Sequence, residues 1–247
     1  MNNLQGLLFN LRLAPRAEIV CFGLTTLGFS TAARLLRGVT ASGAIAGGAV
    51  CFLLMVAAGW GGFAALCSVF IMTWAATRVG YRRKLQLGKA ERRGGRNAGQ
   101  VLANLGVSAL AGALYLNSRD PRLLLAVSAS LSEVAADTLS SEIGAVLGGT
   151  PRLVTTWKAV PAGTDGGITG LGTLVGLVAA FLVGLVCAAT QVMPFHDLLL
   201  CTAAAMAGTL ADSLLGATWE RQGVLGNNAV NFLSSGIAAL LGWIFAS

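Results

Sequence analysis

Along the chain, apolar residues run in long blocks and polar residues collect in the gaps between them. The hydrocarbon core of a bilayer is crossed by about 20 consecutive apolar residues in a helix. Blocks of that size fall at roughly 18–37, 41–58, 60–78, 98–117, 122–148, 167–190, 195–217 and 228–246. The pattern predicts an all-α fold, a polytopic membrane helix bundle of about eight transmembrane helices, in a single integral membrane domain over 1–247. The first block is the weakest, because Arg34 and Arg37 crowd its end. The second and third lie so close together that they predict a tight hairpin. Before them, Leu4, Leu7, Leu8 and Leu11 share one helical face with Arg12 and Arg16 beyond, which predicts an interfacial helix over 1–17. That opening stretch lacks the basic start, apolar core and small-residue cleavage site of a cleavable signal.

Composition strengthens this reading. The chain is 55% hydrophobic and only 11% charged, against about a quarter charged residues in a soluble domain. Thirty-three glycines against five prolines suit helices that approach closely in a membrane. Cys21, Cys51, Cys67, Cys187 and Cys201 all lie in apolar blocks without metal-like spacing, and behave as small hydrophobes.

The net charge of +7 is concentrated in one place. The segment "RVGYRRKLQLGKAERRGGRNAG", the basic loop at 78–97, carries Arg78, Arg82, Arg83, Lys84, Lys89, Arg92, Arg93 and Arg96 against Glu91. Such clustering sets membrane orientation and gives no reason to expect a nucleic-acid partner; by the positive-inside rule the loop is cytoplasmic. Eight spans then put both termini outside and bring the loops 149–166 and 218–227 to the same cytoplasmic side as the basic loop. The expected setting is the inner or cell membrane, with the active face inward.

Charge inside the spans is the unusual feature. In "VSASLSEVAADTLSSEIGAV", Glu133 and Asp137 share a helical face that Ser140 and Ser141 extend, and Glu142 lies nearer the cytoplasmic end. A charge at membrane depth costs roughly 2.5–3.5 kcal/mol on insertion scales, so these acids require cations, water or protons. Glu133 reads equally well as a neutral, hydrogen-bonded member of the bundle. For Asp137 and Glu142 a hydrated divalent cation is favoured. Magnesium suits them, being typically held by one or two carboxylates plus water and substrate phosphate. Asp212, deep in another span, is a candidate second metal or nucleotide contact.

Three further stretches carry candidate phosphate contacts. In "TTWKAVPAGTDGGITGLG", Lys158 precedes a turn, Gly163, Thr164, Asp165, Gly166 and Gly167, that opens into an apolar helix. Backbone amides there can face an anion, aided by the helix N-terminus. A plain turn with Thr164 or Asp165 as the helix cap explains the glycines but not their pairing with Lys158. In "GRNAGQVLANLG", Asn97, Gln100 and Asn104 make one polar stripe, and Arg96 abuts it as a phosphate contact. In "GTLADSLLGATWERQGVLGNNAVNFLSS", Asn227 reads as a helix cap, while Asn228 and Asn231 share a face.

The pieces "TRVG…GRNAGQVLAN", "ADTLSSEIG", "AGTDGGITGLGTL" and "ADSLLGATWERQGVLGNNAVNFLSS" occur in this order in one known family. From about Gly38 onward the chain resembles the integral membrane family called domain of unknown function 92, which includes plant phytyl-phosphate kinase of tocopherol biosynthesis. That family is distantly similar to dolichol and phytol kinases and to CDP-diacylglycerol synthases, which use CTP. The resemblance implies phosphoryl transfer from CTP or another nucleoside triphosphate to a prenyl monophosphate, such as phytyl or geranylgeranyl phosphate, giving the diphosphate. It places Asp137, Lys158 and the Gly163–Thr164 turn where the related kinases carry an acid, a lysine and a Gly-Ser or Gly-Thr turn.

Together the two readings give an Mg²⁺-dependent phosphotransferase. Asp137, Lys158 and Glu142 are its catalytic candidates, and Asp137, Glu142 and Asp212 its metal ligands. The alternatives are a CTP-dependent cytidylyltransferase making a CDP-lipid and an ion-coupled secondary transporter, whose site belongs near the midplane. A homodimer is left open.

Overall fold

The computed structural model describes residues 16–86 and 94–246. The interfacial helix expected over 1–17 lies outside the described residues, apart from its last two. Lys89, Arg92 and Arg93 of the basic loop also lie outside them.

The chain is a bundle of α-helices: α1 (Arg16–Leu35), α2 (Ala41–Arg78), α3 (Tyr81–Gln86), α4 (Ala98–Ser118), α5 (Arg122–Leu147), α6 (Gly170–Ala189), α7 (Leu198–Leu215) and α8 (Asn227–Phe245). A 3-10 turn, Phe195–Asp197, leads into α7 and a π-turn, Gly216–Glu220, extends it. Six helices among the described residues are long and apolar enough to cross a membrane: α2, α4, α5, α6, α7 with its two turns, and α8. Helix α1 is not among them. It nevertheless lies along α2 with Val20, Leu24 and Leu27 facing outward, and Phe29 makes edge-on ring contacts to Phe63 and Phe70.

Helix α2 has 38 residues, about 57 Å of straight helix at 1.5 Å per residue, well beyond a hydrocarbon core of about 30 Å. It does not run straight. Gly59 has φ 59° and ψ −147°, a backbone state open essentially to glycine alone, and the chain doubles back there. A Cβ on Gly62 would lie 2.5 Å from the carbonyl oxygen of Leu54, and the Arg78 guanidinium donates to the Leu36 carbonyl just before the helix starts. The limbs 41–58 and 60–78 are the expected hairpin.

Helix α5 is the central pillar, with 72% of its most apolar window buried against α2, α4, α6, α7 and α8. Small residues let α6 lie almost against its backbone. A Cβ on Gly172 would sit 2.6 Å from the Ser140 carbonyl oxygen, and one on Gly176 would sit 3.0 Å from that of Ala136. Between α5 and α6 the chain makes a two-residue antiparallel ladder, β1 (Arg152–Leu153) with β2 (Gly167–Ile168). This ladder delays the start of α6: its cap is Thr169, whose Oγ1 accepts from the Gly172 amide at 3.0 Å, and not Thr164 or Asp165.

Candidate functional site

The ends of α4, α5, α6, α7 and α8 enclose a polar cavity of about 400 Å³ beside the loops 149–169 and 216–226. Asp137 and Asp212 project into it from α5 and α7. Their side chains are within hydrogen-bonding reach of each other, and the Ser234 hydroxyl donates to Asp212 Oδ2 at 3.3 Å. Two carboxylates this close cannot both stand bare and charged; a proton or a cation has to sit with them. Glu133 lies one turn below on α5, 2% exposed, in space left by Gly208, and its Oε1 has no hydrogen-bond partner.

On the α4 side, Arg96 donates to Thr138 Oγ1 at 3.4 Å and acts electrostatically on Asp137. The Asn104 amide donates to the Gln100 carbonyl at 2.7 Å and its Oδ1 accepts from Asn231 at 3.4 Å, tying α4 to α8 across the wall. Asn97 does something else. It caps α4 in a reciprocal capping box with Gln100, each side chain accepting from the other's amide at 3.0 Å, and it does not line the cavity. Asn227 departs from its expected role in the opposite sense: Gly226 occupies the cap position of α8, and Asn227 joins Asn228 and Asn231 on the cavity wall.

Among the described residues the lysine that lines the cavity is Lys84, not Lys158. The short helix α3 follows Gly80, whose φ of 60° allows a turn so close to α5 that a Cβ there would meet Val146 at 2.4 Å. Arg83 then donates to the Val146 carbonyl at 2.7 Å. Lys84, 1% exposed, donates to the carbonyls of Ala76 and Thr77, each at 2.9 Å, and to Glu142. A buried ion pair with further hydrogen bonds is the arrangement in which a lysine can remain charged away from water. It also engages Glu142, so the acids that meet directly are Asp137 and Asp212, not Asp137 and Glu142. Lys158 sits in the exposed outer turn of the β1–β2 excursion and lies outside the cavity lining.

The turn from Gly163 to Gly167 does line the cavity. Gly163 and Gly166 have φ of 84° and 75°, and a Cβ on Gly166 would overlap Ala217 at 2.4 Å, so the turn is locked onto the π-turn after α7. Two of its amides are already used: Thr164 donates to the Pro161 carbonyl and Gly167 to that of Thr164. The amide cradle is therefore narrower than the glycine pattern suggests. The π-turn also brings in Glu220, which the sequence reading passed over. Asp212 and Glu220 are eight positions apart, about 80° around a regular α-helix, so spacing alone gave no signal; the π-turn is what brings Glu220 to the cavity.

Among the described residues the lining holds five acids, Asp137, Glu142, Asp165, Asp212 and Glu220, against two cations, Lys84 and Arg96. Among the described residues no group of three or more His, Cys, Asp or Glu is placed to hold a metal ion alone. This donor set does not suit zinc, which takes three or four protein ligands. It suits magnesium, which needs one or two carboxylates and fills its other positions with water and phosphate oxygen.

The fold and cavity define a polytopic helical membrane protein with a charged, polar pocket at one end of the bundle. The chain belongs to the family of integral membrane protein DUF92, whose family model matches residues 24–239. It is 37% identical over 196 residues to an uncharacterized membrane protein, MJ0933, of Methanocaldococcus jannaschii, covering 77% of this chain and 79% of that one. It is 33% identical over 221 residues to protein VTE6, chloroplastic, of Arabidopsis thaliana, covering 84% of this chain and 65% of that one. It is 30% identical over 194 residues to the uncharacterized membrane protein sll0875 of Synechocystis, covering 76% and 75%. No solved structure matches the chain.

Proposed function

We propose that this protein is a membrane-embedded prenyl-phosphate kinase. It moves the γ-phosphoryl group of CTP, or another nucleoside triphosphate, onto a prenyl monophosphate such as phytyl or geranylgeranyl phosphate. One observation carries the reading: Asp137 and Asp212 meet inside a cavity that also presents Arg96, Lys84 and the Gly163–Gly167 turn at one end of the bundle. That position suits a lipid whose headgroup must meet a soluble nucleotide at the membrane boundary. It does not suit a midplane transport site. The positive-inside rule makes this end cytoplasmic, because Arg82, Arg83 and Lys84 lie beside it.

In the reaction an oxygen of the prenyl phosphate attacks the γ-phosphorus. The bond from that phosphorus to the β–γ bridging oxygen breaks, and the nucleoside diphosphate leaves with the electron pair. Catalysis is mainly positioning and charge stabilisation. Among the described residues the lining carries more acids than cations, so a polyphosphate would need compensating positive charge there. Asp137 and Asp212 are the residues that would hold a magnesium ion, which would supply positive charge against the nucleotide's phosphates. Arg96 orients the acceptor phosphate, and the 163–167 turn receives the nucleotide tail. The Lys84–Glu142 pair fixes the wall beside them. An acceptor phosphate has a second pKa of about 6 and is largely ionised at neutral pH, so no strong general base is required.

The test supplies purified protein with CTP, Mg²⁺ and either a prenol or its phosphate, and weighs the product. A prenyl diphosphate formed from the phosphate alone is the expected result. Turnover of the free prenol, or a CDP-lipid with release of pyrophosphate, overturns the assignment.

A further inference from the structure

A second cavity, of about 240 Å³, runs between α1, the α2 hairpin and α4. Its walls are apolar, with Phe29, Ala33, Gly47, Leu66, Val69 and Phe70 among them. Its composition changes along its length. At the loop end it is lined by Arg37, Arg78, Tyr81 and Arg96, while along the 60–78 limb the lining continues inward from Thr77 to Leu66. That stretch is about 17 Å of helix at 1.5 Å rise per residue. Arg96 and Asn104 line both this groove and the polar cavity, so the two spaces adjoin across these side chains at the start of α4.

We propose that this groove holds the isoprenoid tail of the acceptor lipid and delivers its phosphate to Arg96. The inference rests on the kinase reading for the identity of the phosphate but on independent residues for the tail. The apolar floor offers nothing to a nucleotide. Arginines at one end only match a ligand that is anionic at one end and hydrocarbon elsewhere. The surroundings give a route in: Ile45 is 76% exposed and Leu102 48%, each next to a groove residue on its helix, so the walls continue into a lipid-facing surface. A prenyl phosphate can then slide in from the bilayer without its tail meeting water, and only its headgroup crosses to the polar cavity.

Small residues set the depth. Gly47 has open space around it; a Cβ there meets only Val101 Cγ1, at 3.9 Å. Gly43, one turn nearer the loop, has none, since a Cβ there would lie 2.2 Å from the Arg96 carbonyl oxygen. Gly47 is therefore the position where a larger side chain shortens the groove without displacing backbone.

Two measurements test this. In the first, geranylgeranyl phosphate with a diazirine on its last isoprene unit is photolysed with the full-length protein in nanodiscs, without nucleotide, and adducts are mapped by mass spectrometry. Adducts are expected on the segments around 44–47 and 66–73, suppressed by unlabelled geranylgeranyl phosphate and not by phosphatidylglycerol. Adducts elsewhere, or equal suppression by phosphatidylglycerol, overturn the proposal, the latter marking a groove for bulk lipid. In the second, Gly47→Leu is expected to raise KM for geranylgeranyl phosphate at least about tenfold relative to geranyl phosphate. The nucleotide KM stays unchanged. Equal loss on both chain lengths overturns the proposal. Because the crosslink needs no turnover, a mapped tail without product removes the kinase reading and leaves the groove, whereas product with adducts elsewhere does the reverse.

Discussion

The two ends of the bundle are built differently. At the site end the connections are long and polar: the 149–169 excursion carries the glycine turn, the π-turn brings Glu220, and α3 folds Lys84 back against α5. At the far end they are short and closed. The α2 hairpin turns on Gly59, α4 joins α5 through Arg119–Pro121, and a Cβ on Gly61 would meet Val192 at 2.6 Å. A charged cluster there is directed at structure: Arg122 pairs with Asp120 at 2.8 Å, and the Trp243 indole donates to the same carboxylate at 3.0 Å, tying the end of α8 to the α4–α5 turn. The far end keeps helices in register so that carboxylates from different helices can converge at the other. Site-end acids should therefore cost activity when changed, and far-end charges only stability.

The largest expected effect is at the acid pair. Asp137→Asn removes a proposed magnesium ligand while keeping shape, and should lower kcat by about 100-fold or more, with the unfolding temperature in detergent held or raised. Glu133→Gln, one turn deeper and outside the cavity lining, should cost much less activity. If the two variants lose activity equally, depth does not separate chemistry from structure and the comparison of the two ends fails.

Next is the buried ion pair. Lys84→Met removes the cationic half of the Lys84–Glu142 pair, and breaking a buried pair from one side costs about 3–5 kcal/mol. Replacing both, Lys84→Met with Glu142→Leu, should recover most of that stability, since the desolvation cost disappears with the charges. Thermal unfolding of the single and double variants measures the difference. Lys158→Ala should leave both stability and turnover near the parent values, because that side chain is exposed and outside the cavity. Activity lost with Lys158 and kept without Lys84 would exchange their roles.

That exchange of lysines shows how far the sequence could be read. Apolar block lengths were enough for a polytopic helical bundle and for the hairpin at Gly59, because hydrocarbon thickness and helix rise constrain them tightly. The same-side placement of the three polar loops also followed, from counting crossings. In the site, residues separated by helical spacing were legible: Asp137, Gln100 with Asn104, and Asn228 with Asn231 all line the cavity. What depended on local backbone state was not. Lys84 looked like one more topology-setting cation until α3 turned it inward, and Lys158 looked aimed at the site until the β1–β2 ladder carried it outward. Asn97 and Asn227 exchanged the roles expected of them, one becoming the cap and the other a wall residue. Capping depends on the φ and ψ of single residues, which hydrophobic periodicity does not encode.

The smallest expected effect belongs to the far end. Hydrogen bonds, first from Arg122 and then from Trp243, hold the Asp120 carboxyl down to about 2 from its ordinary value near 3.8. A carboxylate whose pKa is lower folded than unfolded contributes stability that is fully present above the unfolded value. It is lost as the pH falls toward the folded one. The contribution should therefore be constant from neutral pH down to roughly 5 and fade between about 4 and 2. The pair is solvent-accessible, so the effect is screened and small. Asp120→Asn should lower the unfolding temperature slightly at pH 7, with the gap to the parent closing as the pH drops through that window and with kcat untouched. A loss of turnover in Asp120→Asn at neutral pH, without unfolding, would mean that the far end reaches the chemistry and that the two ends are not separate in function.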